Sequence, residues 1–134
     1  MDRIIETGDE GRLQGIKNIT ATESFFRDHF PRKPVLPGVI TIDCLASLAS
    51  LLARRHLDRQ GLELRQCLKI KFRKFIEPGD QLHIDVRLSS FSPDGSSFKA
   101  LGTVGGKKAA QLEVFFDHLE RDEYVEKYLA GVSS

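Results

Sequence analysis

A chain of 134 residues carries one domain's worth of core and not two. Twenty Lys and Arg against nineteen Asp and Glu leave a formal charge of +1, so no global field argues for nucleic acid or an anionic membrane as partner. Apolar runs fall far short of the roughly 20 residues that cross a bilayer, and the opening Met1-Asp2-Arg3-Ile4-Ile5-Glu6 lacks the basic-then-apolar order of a leader, which reads as a soluble, cytoplasmic protein.

In chain order, Arg12–Thr20 is a candidate strand with poor alternation. From Pro37 to about Leu57, Val39, Ile40, Ile42, Cys44, Leu45, Ala46, Leu48, Ala49, Leu51, Leu52 and Ala53 surround a helix on nearly every side, which predicts burial all round. Pro37-Gly38 opens it, Arg54-Arg55-His56 sits at its negative end, and Gly61 reads as its stop signal. The period then changes to two. Leu68, Ile70 and Phe72 alternate with Lys69, Lys71 and Arg73, and Leu82, Ile84, Val86 and Leu88 alternate with His83, Asp85 and Arg87. Glu77-Pro78-Gly79-Asp80 is the turn between these strands, and Pro93-Asp94-Gly95 ends the second. Gly105-Gly106 joins strands near Phe98–Val104 and Lys108–Phe116 in a hairpin. Tyr124, Val125, Tyr128 and Leu129 predict an amphipathic C-terminal helix within 121–134.

These elements predict one α+β domain over 1–134, a meander of curved antiparallel strands rolled around the apolar helix. Phe115 and Leu101 fall on the outward register, which predicts that a second copy covers the convex face.

The segment most suggestive of chemistry is 25–43. Pro31, Pro34 and Pro37 stiffen the approach to the helix and hold His29 in a defined place. Gly38 falls in the first helical turn, where backbone N–H groups lack helical partners and point at any oxygen brought to them. Asp43 follows one and a half turns on, among hydrocarbon neighbours whose desolvation would favour a protonated carboxyl. The run from His29 through Phe30, Pro31, Pro34, Pro37, Gly38 and Val39 to Asp43 resembles the motif of the hot-dog-fold 3-hydroxyacyl-[acyl-carrier-protein] dehydratases of type II fatty-acid synthesis. The stretch from Lys71 to Leu82 is similar to that family's later strand and turn.

The resemblance implies catalytic roles for His29 and Asp43, contributed by different subunits of a dimer, and a thioester oxygen held by the Gly38 N–H. It implies an acyl tunnel touching Phe30, Leu36, Val39, Ile40 and Ser47, no cofactor and no metal, and an acyl carrier protein as partner of a homodimer or trimer of dimers. Asp43 looks like the decanoyl-type branch that also isomerises the double bond, Ser47 stands where the family shows Gln, and Arg32-Lys33 replaces a smaller pair. The family's Pro-His-Arg-rich opening segment has no counterpart before the first strand. Removing water from a 3-hydroxyacyl thioester needs a base for the C2 proton, an acid for the C3 hydroxyl and stabilisation of charge on the thioester oxygen, and these three groups suffice.

The remaining residues have plainer readings. His56 is a helix-end dipole partner, His83 a solvent-face strand residue, and His118 gives no signal; none has metal-ligand spacing with another. Cys44 and Cys67 read as reduced core residues. Arg32, Lys33, Lys69, Lys71, Arg73 and Lys74, with Arg54 and Arg55 as further candidates, are either a solvated surface or the docking patch for an acidic carrier. Two alternatives to dehydration stand beside it: an acyl thioesterase on the same fold, using the helix acid to direct water, and a non-catalytic acyl-binding subunit.

Overall fold

The computed structural model describes residues 1–20, 35–57 and 60–120. Its elements are β1 (Arg3–Ile5), β2 (Arg12–Asn18), α1 (Gly38–Arg55), β3 (Gly61–Phe72), β4 (Gln81–Phe91), β5 (Gly95–Val104) and β6 (Lys107–Leu119). The expected helix at 121–134 lies outside the described residues. All neighbouring strands are antiparallel, in the order β1-β2-β4-β5-β6-β3. Period-two alternation puts Leu82, Ile84 and Val86 of β4, Phe98 and Ala100 of β5, and Leu112, Val114 and Phe116 of β6 on the concave face, all buried. Against them pack Leu45, Leu48, Ala49, Leu52 and Ala53 of α1. This is the expected hot-dog fold, a curved sheet wrapped around one apolar helix.

Several expectations need correction. The sheet is not a simple meander: β3 pairs with β6 at the far edge, so the Glu77–Asp80 turn joins strands that are not neighbours. That turn docks instead on the end of β2, with the Gly79 N–H donating to the Ile19 carbonyl (2.8 Å) and the Ile19 N–H to the Asp80 carbonyl (2.9 Å). Gly79 has φ +96°, a conformation that a Cβ would oppose. Gly61 does not stop the helix, which ends at Arg55 with His56 as its C-cap; Gly61 begins β3. The strand β1 had no legible alternation, being three residues long.

Helix α1 is not buried all round. Val39, Asp43, Ser47 and Leu51, spaced four apart, form an exposed stripe, because β1 and β2 reach only part of the way around it. The convex face carries the two apolar residues expected on its outward register. Phe115 and Leu101 lie there half-buried, but Arg12, Asp85, Arg87, Lys99 and Glu113 surround them with charge. Exposed apolar side chains collect instead along the β3 edge, at Leu64, Leu68, Ile70 and Phe72, and beyond it at Phe75. Two bulges break the alternation of β3, between Leu64 and Gln66 and between Leu68 and Lys71, and Lys69 takes φ +52° in the second. Leu68 consequently faces outward opposite Glu113, while Phe72 turns inward opposite Ala110.

At the other end of the helix the Arg55 guanidinium grips Glu6 with two hydrogen bonds of 2.7 Å, tying the segment after β1 to α1. That hydrogen bonding holds the Glu6 carboxyl below the usual glutamate range. A depressed carboxyl contributes its grip above the ordinary glutamate pKa and loses it as pH falls through the lowered value. Hydrogen-exchange protection of the β1 amides, corrected for intrinsic rates, is therefore expected to drop in acid, and Arg55→Met should abolish that dependence. Unchanged protection in the variant at every pH would show that the pair does not hold β1.

Candidate active site

The site is built on the first half of α1. Pro37 precedes it with φ −58° and ψ 140° and no side-chain cap, while its carbonyl accepts from the N–H groups of Ile40 (3.0 Å) and Thr41 (3.2 Å). The chain reaches Pro37 from Leu36, a buried residue whose N–H donates to the Ile76 carbonyl at 2.6 Å. The helix start is thereby fastened to the segment leaving β3. Gly38 lies under the Phe72 ring: a Cβ at this position would stand 3.0 Å from the ring's Cζ. Glycine therefore lets an aromatic edge rest on the helix N-terminus, beside N–H groups free of helical partners.

Asp43 and Ser47 open onto a groove of about 340 Å³ between α1 and the β1–β2 hairpin, also lined by Ile40, Cys44 and Lys17. The structure thus brings Asp43, Ile40 and Ser47 together, whereas Leu36 belongs to the core, and Gly38 and Val39 do not line the groove. His29, Phe30, Arg32 and Lys33 lie outside the described residues. Asp43 is exposed in the single chain, so the desolvation expected of it is not met there. Val39 is 68% exposed on the neighbouring turn, an apolar side chain left beside the acid.

Lys17 was missed by sequence reasoning. It stands on the helix-facing side of β2 with Leu13 and Gly15, and it lines the groove that also holds Asp43. The available signal was parity: an inward period of two from Leu13 reaches Lys17, but the weak alternation of the strand concealed it.

The basic candidates separate. Lys69 and Lys71 join Arg87, Lys99 and Lys108 around a shallow convex-face groove, with Lys69 3.7 Å from Glu113. Arg73 and Lys74 are exposed past the end of β3, where their N–H groups donate to the Ala109 carbonyl. Arg54 is exposed in the last helical turn, and Arg55 is engaged by Glu6.

The other histidines and the cysteines serve the fold. His83 is exposed, its Nε2 2.8 Å from the Gln81 side-chain oxygen, and the His56 ring nitrogen meets the Glu10 carbonyl at 2.7 Å. His118 is buried with its Nε2 2.8 Å from the Ser96 hydroxyl and its ring tilted against Phe91. Neither cysteine is in a disulfide; Cys44 is buried, and Cys67 is half-buried with its thiol pKa pushed up by that burial.

The comparisons with known proteins agree with the fold and the motif. Residues 5–113 match the ApeI-like family, described as ApeI dehydratase. A 3-hydroxyacyl-[acyl-carrier-protein] dehydratase FabZ from Thermoanaerobacter sp. (strain X514) is 37% identical over 118 residues, covering 87% of this chain and 83% of the relative. Among solved structures, the dehydratase heterocomplex ApeI:P from Xenorhabdus doucetiae superposes with a TM-score of 0.70 at 21% identity, over 87% of this chain and 95% of that one. A mutant thioesterase PA1618 (Q49A) from Pseudomonas aeruginosa gives 0.71 at 13% identity, over 85% and 78%. Fold likeness alone thus spans two chemistries, and it is sequence identity over most of the length that separates them. With that identity and a family match across β2, the whole of α1 and most of the sheet, the chain belongs to the ApeI-like dehydratase family.

Proposed function

We propose that this chain, acting as one unit, dehydrates 3-hydroxyacyl thioesters carried on an acyl carrier protein to trans-2-enoyl thioesters, in fatty-acid or related acyl-chain synthesis. The carrying observation is the 37% identity, over 87% of the chain, to a relative whose name states that activity. In the proposed reaction His29 takes the C2 proton and the C2–H electron pair forms the C2=C3 double bond. The C3–O bond breaks, and the Asp43 carboxyl protonates the departing hydroxyl, which leaves as water. The Gly38 N–H steadies the charge that gathers on the thioester oxygen.

Two features support a homodimer with composite sites, His29 from one subunit and Asp43 from the other. The β3 edge exposes Leu64, Leu68, Ile70, Phe72 and Phe75, an apolar strip suited to a second copy. Asp43 is exposed in one chain and would lose water to such a partner. Carrier docking falls to the basic residues, with Arg32 and Lys33 adjoining His29 in sequence and Lys69, Lys71, Arg73 and Lys74 at the sheet edge. Two cysteines held outside any disulfide suit a cytoplasmic setting.

Mass spectrometry after incubation with carrier-bound 3-hydroxyacyl chains should show loss of water with the thioester intact. Free acid and thiol would establish a thioesterase instead, and acyl binding without turnover a non-catalytic subunit. Reversing Arg32 and Lys33 to Glu should raise KM for carrier-bound substrate and leave a short uncharged thioester almost unaffected, an effect that added salt mimics.

A further inference from the structure

We propose that Phe72 is a positioning residue for the reaction: its ring sets where the start of α1 stands, and with it where the Gly38 N–H meets the thioester oxygen. The inference rests on the dehydratase reading. The ring atoms Cζ, Cε2 and Cε1 stand 3.0, 3.4 and 3.5 Å from where a Cβ on Gly38 would be, so the ring meets the helix tip first and fills the space a side chain would take. This contact is not a by-product of core packing. Phe72 is 54% exposed and lies outside the buried cluster.

Two features of the backbone aim the ring there. In a straight strand, a period of two from the outward Leu68 would send Phe72 outward as well. The bulge between Leu68 and Lys71 reverses this and brings Phe72 inward opposite Ala110, through a φ of +52° at Lys69 that residues with side chains seldom adopt. Beyond Phe72 the chain is pinned. The N–H groups of Arg73 and Lys74 donate to the Ala109 carbonyl at 2.8 and 3.3 Å, and the Ile76 carbonyl accepts from the Leu36 N–H at 2.6 Å, two residues before Gly38. Pro37 offers no side-chain hydrogen bond to the first turn of α1. One hydrogen bond, from Leu36, would leave that turn free to pivot; the ring gives it a second point of contact with the end of β3. Such placement matters, because a misplacement of about 1 Å at a reacting group can cost roughly a hundredfold in rate.

The test compares Phe72→Ala and Phe72→Leu with Ile70→Ala, which removes another exposed apolar side chain from the same strand edge. Phe72→Ala should lower kcat about tenfold or more with KM changed by less than about threefold, and Phe72→Leu should recover part of the loss. The infrared band of a bound saturated acyl thioester, isotope-labelled at its carbonyl carbon, gives a readout that lost stability alone would not move. In Phe72→Ala it should broaden and rise in frequency as the hydrogen bond from the Gly38 N–H weakens, while Ile70→Ala leaves it in place. Gly38→Ala should cost more in the native background than in Phe72→Ala, where the added methyl finds room. Three results would each overturn the proposal: a band unmoved in folded Phe72→Ala, a band shifted equally by Ile70→Ala, or an equal cost of Gly38→Ala in both backgrounds. Should Phe72→Ala not fold, Phe72→Leu carries the same comparisons. If the native protein dehydrates no 3-hydroxyacyl thioester, the reaction assignment fails, and the carbonyl band still decides whether the ring positions Gly38.

Discussion

Asp43→Asn is expected to lower the dehydration rate by at least about a hundredfold while leaving the thermal transition nearly in place, since positioned acids and bases typically contribute 10²–10⁴. The fold should survive because Asp43 is exposed on α1 and sits outside the core cluster. His29→Ala is expected to match it in rate. Mixing the two inactive variants then tests the composite site. Under random exchange half the dimers are mixed, and each mixed dimer holds one site with both native groups, so activity should return to about one quarter of wild type. Turnover near normal in either single variant would remove that residue from the chemistry, and no recovery after demonstrated subunit exchange would place both groups within one chain.

Phe98→Ala is expected to produce the largest loss of stability, roughly 3–5 kcal/mol, because a fully buried aromatic cannot be removed without leaving a cavity. Phe98 is 0% exposed at the centre of β5, facing α1, and its ring meets Phe116 edge-on at a centroid distance of 5.8 Å. For a chain of this size such a loss corresponds to a melting temperature lower by about 10 °C or more. Denaturant titration should show a shifted midpoint with the slope preserved. A shift equivalent to less than about 1 kcal/mol would mean that neighbours close over the space, and that the concave face is looser than its burial implies.

The helix and the sheet were legible because their signals are dense: eleven apolar residues within twenty positions leave α1 little choice but to be wrapped, and β4 alternates cleanly. What could not be read was the placement of strands that alternation alone does not order. Nothing in the period of β3 says that it pairs with β6, and its two bulges exchange the faces that Leu68 and Phe72 present. The exposed stripe of α1 was hidden by Val39 and Leu51, apolar residues that a hydropathy pattern assigns to the core and the structure leaves in the open. Asp43 was singled out by its motif, whereas the place of Lys17 in the same groove needed the fold, since a single lysine in a poorly alternating strand gives no sign of which way it points.

The two ends of the sheet bear on how readily further chains could add to it. An open strand edge is a template on which further chains can add and grow into fibres. On one side the edge is β1, three residues long, too short to hold an incoming strand firmly. On the other, the bulges divide the pairing of β3 into runs of four, three and two residues, and the backbone at Lys69 bends out of the pleat at the second break. A strand laid along that edge would lose register before it could propagate, so the bulges oppose unlimited growth there. Straightening β3 by deleting the extra residue at Lys69 would remove this protection along with the bend.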